Sequence, residues 1–255
     1  MRVLQKLCVL QAIACASTAA LAQQGDNQPG PFTYASYYVC DVTRQGRVDE
    51  IIESEVAPIY DTAVERGTIT SWGWLAHRTG GTWRRAHYYS APSIERLFEA
   101  ERIIDAQLQA SGADSDQEVA RICNSHEDYI WMALASSTDN VPSSERGPVG
   151  LSTYYVCDFN EQNRADELLN TVLAPVYDAH VGEGMFNSWG WQSHFVGGQY
   201  RRLATFTAED YPTLLNTRGR VLQTVSDNEL AAQFNQICSS HADYLWDIQL
   251  ETIAD

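Results

Sequence analysis

Lysine is all but absent from this sequence: Lys6 is the only one, and every other basic side chain is an arginine. Past Lys6 there is no amine to form a Schiff base, which excludes that chemistry and leaves pyridoxal phosphate without an anchor. Basic residues are scarce altogether, 17 Lys and Arg against 33 Asp and Glu, for a formal net charge of -16. That balance argues against nucleic acid as a partner, which needs a basic face. It fits a self-repelling, soluble surface. Long hydrophobic runs are missing too. After residue 22 no stretch approaches the ~20 apolar residues of a membrane span, so no membrane span is expected. There is no G-x-S-x-G nucleophile elbow, no H-E-x-x-H helix, no phosphate-binding glycine loop and no dinucleotide fingerprint. These absences set aside the common hydrolase, metalloprotease and nucleotide-binding classes.

What is present begins with an export signature. Arg2 and Lys6 form a positive start, Leu7 to Ala14 are mostly apolar, and Ala20-Leu21-Ala22 is an A-x-A cleavage site. Residues 1–22 read as a secretory signal peptide, which predicts an exported protein, periplasmic or extracellular after cleavage near Ala22. A lipoprotein signal ending at Cys15 is the weaker alternative, because Ala12 is a poor residue at the start of a lipobox. Residues 23–32 form a polar leader.

The remaining chain says the same thing twice. Residues 37–90 align without a gap onto residues 154–207, with 24 of those 54 positions identical. The shared core reads Tyr37 to Asp41, Ala57-Pro58, Tyr60-Asp61, Ser71-Trp72-Gly73-Trp74, His77, Gly80-Gly81 and Arg84-Arg85. Its counterpart runs from Tyr154 to Arg202. A second block, Ile122 to Trp131, matches Ile237 to Trp246. The period is that of a small domain, not of a solenoid repeat. The expected organisation is a repeat over 33–135, a Ser/Pro-rich linker over 136–149 and a second repeat over 150–255.

Signal removal would take Cys8 and Cys15 and leave two cysteines per copy. Four cysteines allow three pairings, and the repeat selects Cys40 with Cys123 and Cys157 with Cys238. In an oxidising compartment these are expected as disulfides. A metal site would call for the short C-x-x-C spacing, which is absent, so no metal is expected. Nor is a free thiol nucleophile.

Within a copy the pattern reads strand (Ala35 to Val42), helix (Arg47 to Val64, kinked or broken in its last turn by Pro58), strand (Ile69 to His77), a Gly80-Gly81 turn, and strand (Trp83 to Ser90). A helix follows from Ser93 to Ala110. A short helix then opens on a capping box at Ser115 to Glu118, repeated at Ser226 to Glu229, and a last strand spans Asp128 to Ala135. The order β-α-β-β-α-(α)-β is that of a ferredoxin-like unit. In that arrangement the last strand pairs antiparallel with the first, which brings Cys40 beside Cys123. The expected fold class is α+β: two tandem ferredoxin-like repeats forming an intrachain pseudo-dimeric α/β barrel. In element order and size, residues 33–255 resemble the dimeric α/β-barrel superfamily. That resemblance implies cofactor-independent monooxygenases, haem-handling enzymes, lactone isomerases or binding proteins, without choosing among them.

Candidate site residues cluster on the central hairpin. Alternation puts Trp72 and Trp74 on one strand face and His77 on the other. With Arg84 and Arg85, and with Trp189, Trp191, His194, Arg201 and Arg202 in the second copy, they could wall a pocket for an anionic or aromatic ligand. His77 or His194 would then act as a general base or as a haem ligand. The competing reading is structural: tryptophans as barrel core, arginines paired with buried carboxylates, and Gly73 relieving crowding. His126 and His241 read as parts of a turn beside the disulfide. His87 and His180, each present in one copy only, read as drift. The expectation is an exported small-molecule-binding or structural protein. The alternatives are a cofactor-light oxygenase or isomerase, or haem binding through histidine. No cofactor is expected, and the partner is a small organic ligand bound by a monomer with an internal pseudo-dimer.

Overall fold

The computed structural model describes residues 30–111, 115–137 and 146–254. The expected signal peptide, the lipobox alternative and most of the leader and of the linker lie outside the described residues. The first copy contains β1 (Phe32–Val39), α1 (Gln45–Ile51), α2 (Ala57–Glu65), β2 (Ser71–Thr79), β3 (Arg85–Ala91), α3 (Ile94–Ala110), α4 (Ser115–Ile122) and β4 (Ser125–Ser136). The second contains β5 (Val149–Val156), α5 (Gln162–Leu168), α6 (Ala174–Gly182), β6 (Ser188–Val196), β7 (Arg202–Ala208), α7 (Tyr211–Val225), α8 (Glu229–Ile237) and β8 (Ser240–Ile253).

The helix expected over Arg47 to Val64 is interrupted, as α1 and α2, by a wider turn ahead of Pro58. Between α1 and α2, Ile52–Val56 form a π-helical turn in which Ala57 N–H donates to Ile52 O. Proline has no N–H, and its ring crowds the carbonyl four residues earlier. The wider turn relieves both problems and leaves Pro58 in the first turn of α2, where a missing donor costs nothing. Leu169–Leu173 repeat the device ahead of Pro175. The start of α3 is capped by Ser93, which accepts from Arg96 N–H. At α8 the expected capping box is replaced: Asn228 accepts from Leu230 and Ala231 N–H, while Ser226 bonds back to Gln223 O. The matching box at 115–118 falls partly on side chains outside the described residues.

Among the described residues the eight strands form one closed antiparallel barrel in the order β1-β3-β2-β8-β5-β7-β6-β4. This corrects the expected fold class of two tandem ferredoxin-like repeats. Neither copy is a sheet with its own edges: β2 pairs with β8 and β4 pairs with β6, across the copies. Closure is favoured because an open sheet would leave rows of unpaired N–H and C=O groups and one apolar face in water. Outside the barrel, the helices bury two separate apolar clusters, one per copy. Inside it, a third cluster mixes the copies: Tyr37, Trp83, Tyr129 and Trp131 pack with Tyr154, Leu203, Tyr244 and Trp246.

The copies also clasp each other. Gly80, at φ +138°, lies so close to Tyr244 that an added Cβ would stand 2.7 Å from its ring, and Gly197, at φ +137°, lies as tightly on Tyr129. Each glycine turn of one copy is thus seated on a tyrosine of the other, and these residues are common to both copies. The expected disulfides, Cys40–Cys123 and Cys157–Cys238, are present. They join the chain just past β1 to that just before β4, and β5 to β8 in the same way.

Candidate functional site

One end of the barrel is filled. Trp83, in the β2–β3 turn, stacks on Tyr37 with ring centroids 4.3 Å apart and on Tyr244 at 4.9 Å. Tyr200 takes the matching place in the second copy, 5.5 Å from Tyr154. The other end holds a cavity of about 750 Å³. It is lined by the starts of β1, β2, β5 and β6 and the ends of β3, β4, β7 and β8. Tyr37, Trp131, Tyr154 and Trp246 belong both to the interior cluster and to the cavity lining, so they form its floor. Trp131 Nε1 donates to Tyr37 Oη at 3.2 Å. Burial pushes the phenols of Tyr37 and Tyr154 up, so the floor stays uncharged. The walls carry Leu75, Ala86, Leu203 and Ile248 among hydroxyls, several of them paired with each other. Thr33 meets Ser90 at 2.8 Å, and Ser188 meets Thr207 at 2.6 Å.

One wall is different. On three adjacent strands, Tyr88 of β3 pairs with Gly73 of β2, which pairs with Glu251 of β8. All three face inward. A Cβ at Gly73 would lie 2.5 Å from the Tyr88 ring, so only glycine lets that ring lie across β2. The Tyr88 hydroxyl donates to Glu251 Oε1, and Arg146 Nε stands 3.6 Å from Glu251 Oε2. Only 6% of the Glu251 side chain and 26% of the Arg146 side chain is exposed. Burial, and then the Glu251 carboxylate, raises the Tyr88 phenol far above its ordinary range. Tyr88 therefore remains a donor. At the equivalent place Gly190 of β6 stands between Thr205 of β7 and Ser136 of β4, so among the described residues the ionic wall exists once.

No protein-family model matches this sequence, and no curated protein sequence matches it. Solved structures do. A candidate monooxygenase from Fusobacterium nucleatum superposes with a TM-score of 0.64 at 7% identity, covering 88% of this chain and 95% of that one. A candidate monooxygenase from Lactobacillus acidophilus gives 0.62 at 8% identity, with 88% and 96% covered. A chlorite dismutase from Candidatus Nitrospira defluvii gives 0.52 at 10% identity, with 88% and 92% covered. At such identities the likeness carries the fold alone.

The side chains singled out in the sequence divide between the two faces of the sheet. Trp72 and Trp74 turn outward to the helices, where their Nε1 donate to Asp61 and Asp49 at 2.8 Å each. Arg85 is nearly enclosed and grips Asp49 with both Nε (2.6 Å) and Nη2 (2.5 Å). Trp189, Trp191 and Arg202 do the same with Asp178 and Asp166. Trp189 and Trp191 border the cavity as well, although their indole N–H groups point away from it. Arg84 and Arg201 do not border it; Arg201 lies over the Phe159 ring at 5.5 Å. His77 and His194 face the barrel interior. They meet the floor edge-on, His77 against Trp246 at 6.2 Å and His194 against Trp131 at 6.2 Å, and neither borders the cavity. Burial first, then Arg84 and Arg201 respectively, pulls their pKa values down. Among the described residues, no three His, Cys, Asp or Glu side chains are grouped to hold a metal ion. Sequence reasoning missed Tyr88, Arg146 and Glu251. The signal open to it was difference: two of the three stand where otherwise matching copies diverge.

Proposed function

We propose that this protein binds a small organic molecule inside the barrel. The cavity of about 750 Å³ carries this reading, because it lies in the size range of pockets that enclose drug-sized ligands and pairs apolar walls with a few convergent polar groups. The ligand's apolar body rests on the indole and phenol floor, and the Tyr88, Glu251 and Arg146 wall orients it. Turnover is the second reading. The observation favouring it is Glu251, a buried carboxylate facing the cavity beside a cation, where a bound ligand would find a proton acceptor. The shared fold with candidate monooxygenases and an anthrone oxidase-like protein is consistent with oxygenation or isomerisation. Haem ligation through His77 or His194 has weaker support, since both rings are packed against the floor aromatics away from the cavity. The chain is read as exported, with the two disulfides in support.

A neutral apolar fluorophore such as N-phenyl-1-naphthylamine tests the binding reading. The full chain is expected to take up one molecule, and Ala86→Trp, which fills the cavity from β3, is expected to weaken uptake at least about tenfold. No uptake by the unmodified chain, or uptake indifferent to Ala86→Trp, would overturn it.

A further inference from the structure

We infer that the Tyr88–Glu251–Arg146 wall selects a neutral ligand bearing a hydroxyl group, and selects against carboxylates. This inference rests on the cavity-binding reading and names the chemistry of its ligand. The wall carries one positive and one negative charge, so it offers no net attraction to an ionised ligand. A ligand carboxylate would meet Glu251 head on and would have to compete with it for Arg146. A purely apolar ligand would cover a buried carboxylate and guanidinium without bonding to either, which is costly when the groups lose water. The Arg146 Nε already lacks a hydrogen-bond partner among the described residues. A hydroxyl resolves both difficulties: it donates to a free lone pair of Glu251 and accepts from Arg146.

The geometry explains why Glu251 retains that capacity. Tyr88 uses Oε1, and Arg146 approaches Oε2 at 3.6 Å, beyond direct hydrogen-bond length. An ionised carboxylate has about four acceptor sites, so a ligand hydroxyl can be added without displacing Tyr88. The site is also singular. The equivalent place, around Gly190 of β6, has Thr205 of β7 and Ser136 of β4, which are uncharged and short. A ligand therefore has one preferred orientation in a barrel built from two similar copies, with its hydroxyl toward β2, β3 and β8.

The test compares 1-naphthol, naphthalene and 1-naphthoate for binding to the full chain by titration calorimetry or tryptophan quenching. A hydrogen bond to a charged group predicts that 1-naphthol binds about tenfold or more tighter than naphthalene, and 1-naphthoate weakest of the three. Glu251→Gln removes the charged acceptor but leaves Arg146, so it is expected to shrink the advantage of 1-naphthol over naphthalene and to relieve the penalty on 1-naphthoate. Tyr88→Phe leaves the Glu251 and Arg146 pair in place, so it keeps the test open if Glu251→Gln does not fold. It should retain the preference for 1-naphthol over 1-naphthoate. Equal binding of 1-naphthol and naphthalene, or tighter binding of 1-naphthoate, would overturn this inference while leaving the cavity reading intact. Binding of none of the three would overturn both.

Discussion

His87 is held between sheet and helices, where copy two has Ala204. Its ring stands 4.8 Å from Tyr60 and about equally far from Trp72 and Trp74, at 6.3 and 6.4 Å. Its Nε2 has no hydrogen-bond partner among the described residues. Burial alone pushes its pKa down to about 4. In the unfolded chain it would titrate near ~6.5. The folded-state value is thus the lower one, so the unfolded chain takes up the proton first as pH falls. Stability is full above about pH 6.5 and declines toward pH 4, by roughly 3 kcal/mol in total from this residue. Urea unfolding of His87→Phe across that range should show a flatter pH dependence than the unmodified chain. His77 and His194 shift in the same direction and leave a residual slope. An unchanged slope in the variant would show that His87 is not the group responsible. Reading His87 as drift from its one-sided occurrence alone gave no hint of this, because burial is not visible in a residue's identity.

Two aspartates per copy fasten the helices to the barrel. Asp49 of α1 receives Trp74 and Arg85 from two strands, and Asp61 of α2 receives Trp72 of β2 and Thr252 of β8. Asp49→Ala would strand the Arg85 guanidinium and the Trp74 indole N–H in the interface. Removing one partner of a buried ion pair costs about 3–5 kcal/mol, and Asp166→Ala should match it in the second copy. Arg47→Ala, which breaks only exposed pairs with Glu50 and Glu118, should change stability by less than about 1 kcal/mol. Comparable losses for Asp49→Ala and Arg47→Ala in denaturant unfolding would refute this account of the interface. The elements themselves were legible, because two-residue and helical periodicities are local. The π-helical turn was signalled only as a disturbance at Pro58. The partners of the tryptophans and arginines were not legible: Arg85 and Asp49 are 36 residues apart in the chain, and nothing local announces their meeting. The ionic wall of the cavity was hidden for the same reason, since Tyr88 and Glu251 are 163 residues apart. In the sequence its trace is a difference between the copies: Tyr88 and Glu251 stand where the other copy has Thr205 and Ser136.

At the scale of the molecule, repetition in the sequence pointed to two units, and closure of the barrel makes them one. Two seams, β2 with β8 and β4 with β6, run between the copies. The interior aromatic cluster belongs to neither copy. The Gly80 and Gly197 turns need Tyr244 and Tyr129 of the opposite copy to complete their packing. If one copy unfolded alone, the other would be left with two bare strand edges and half of an aromatic core in water. Such a partly unfolded state is heavily penalised, so unfolding of the disulfide-intact chain is expected to be a single cooperative transition. Near-ultraviolet dichroism reports the shared aromatic cluster and far-ultraviolet dichroism reports the backbone; their denaturant midpoints should coincide. Asp49→Ala, although confined to the first copy, should move the whole transition to lower denaturant without splitting it. Two resolved steps, or a variant that shifts only half of the signal, would mean that each copy keeps a stability of its own, and the barrel would then be an association of two folded units.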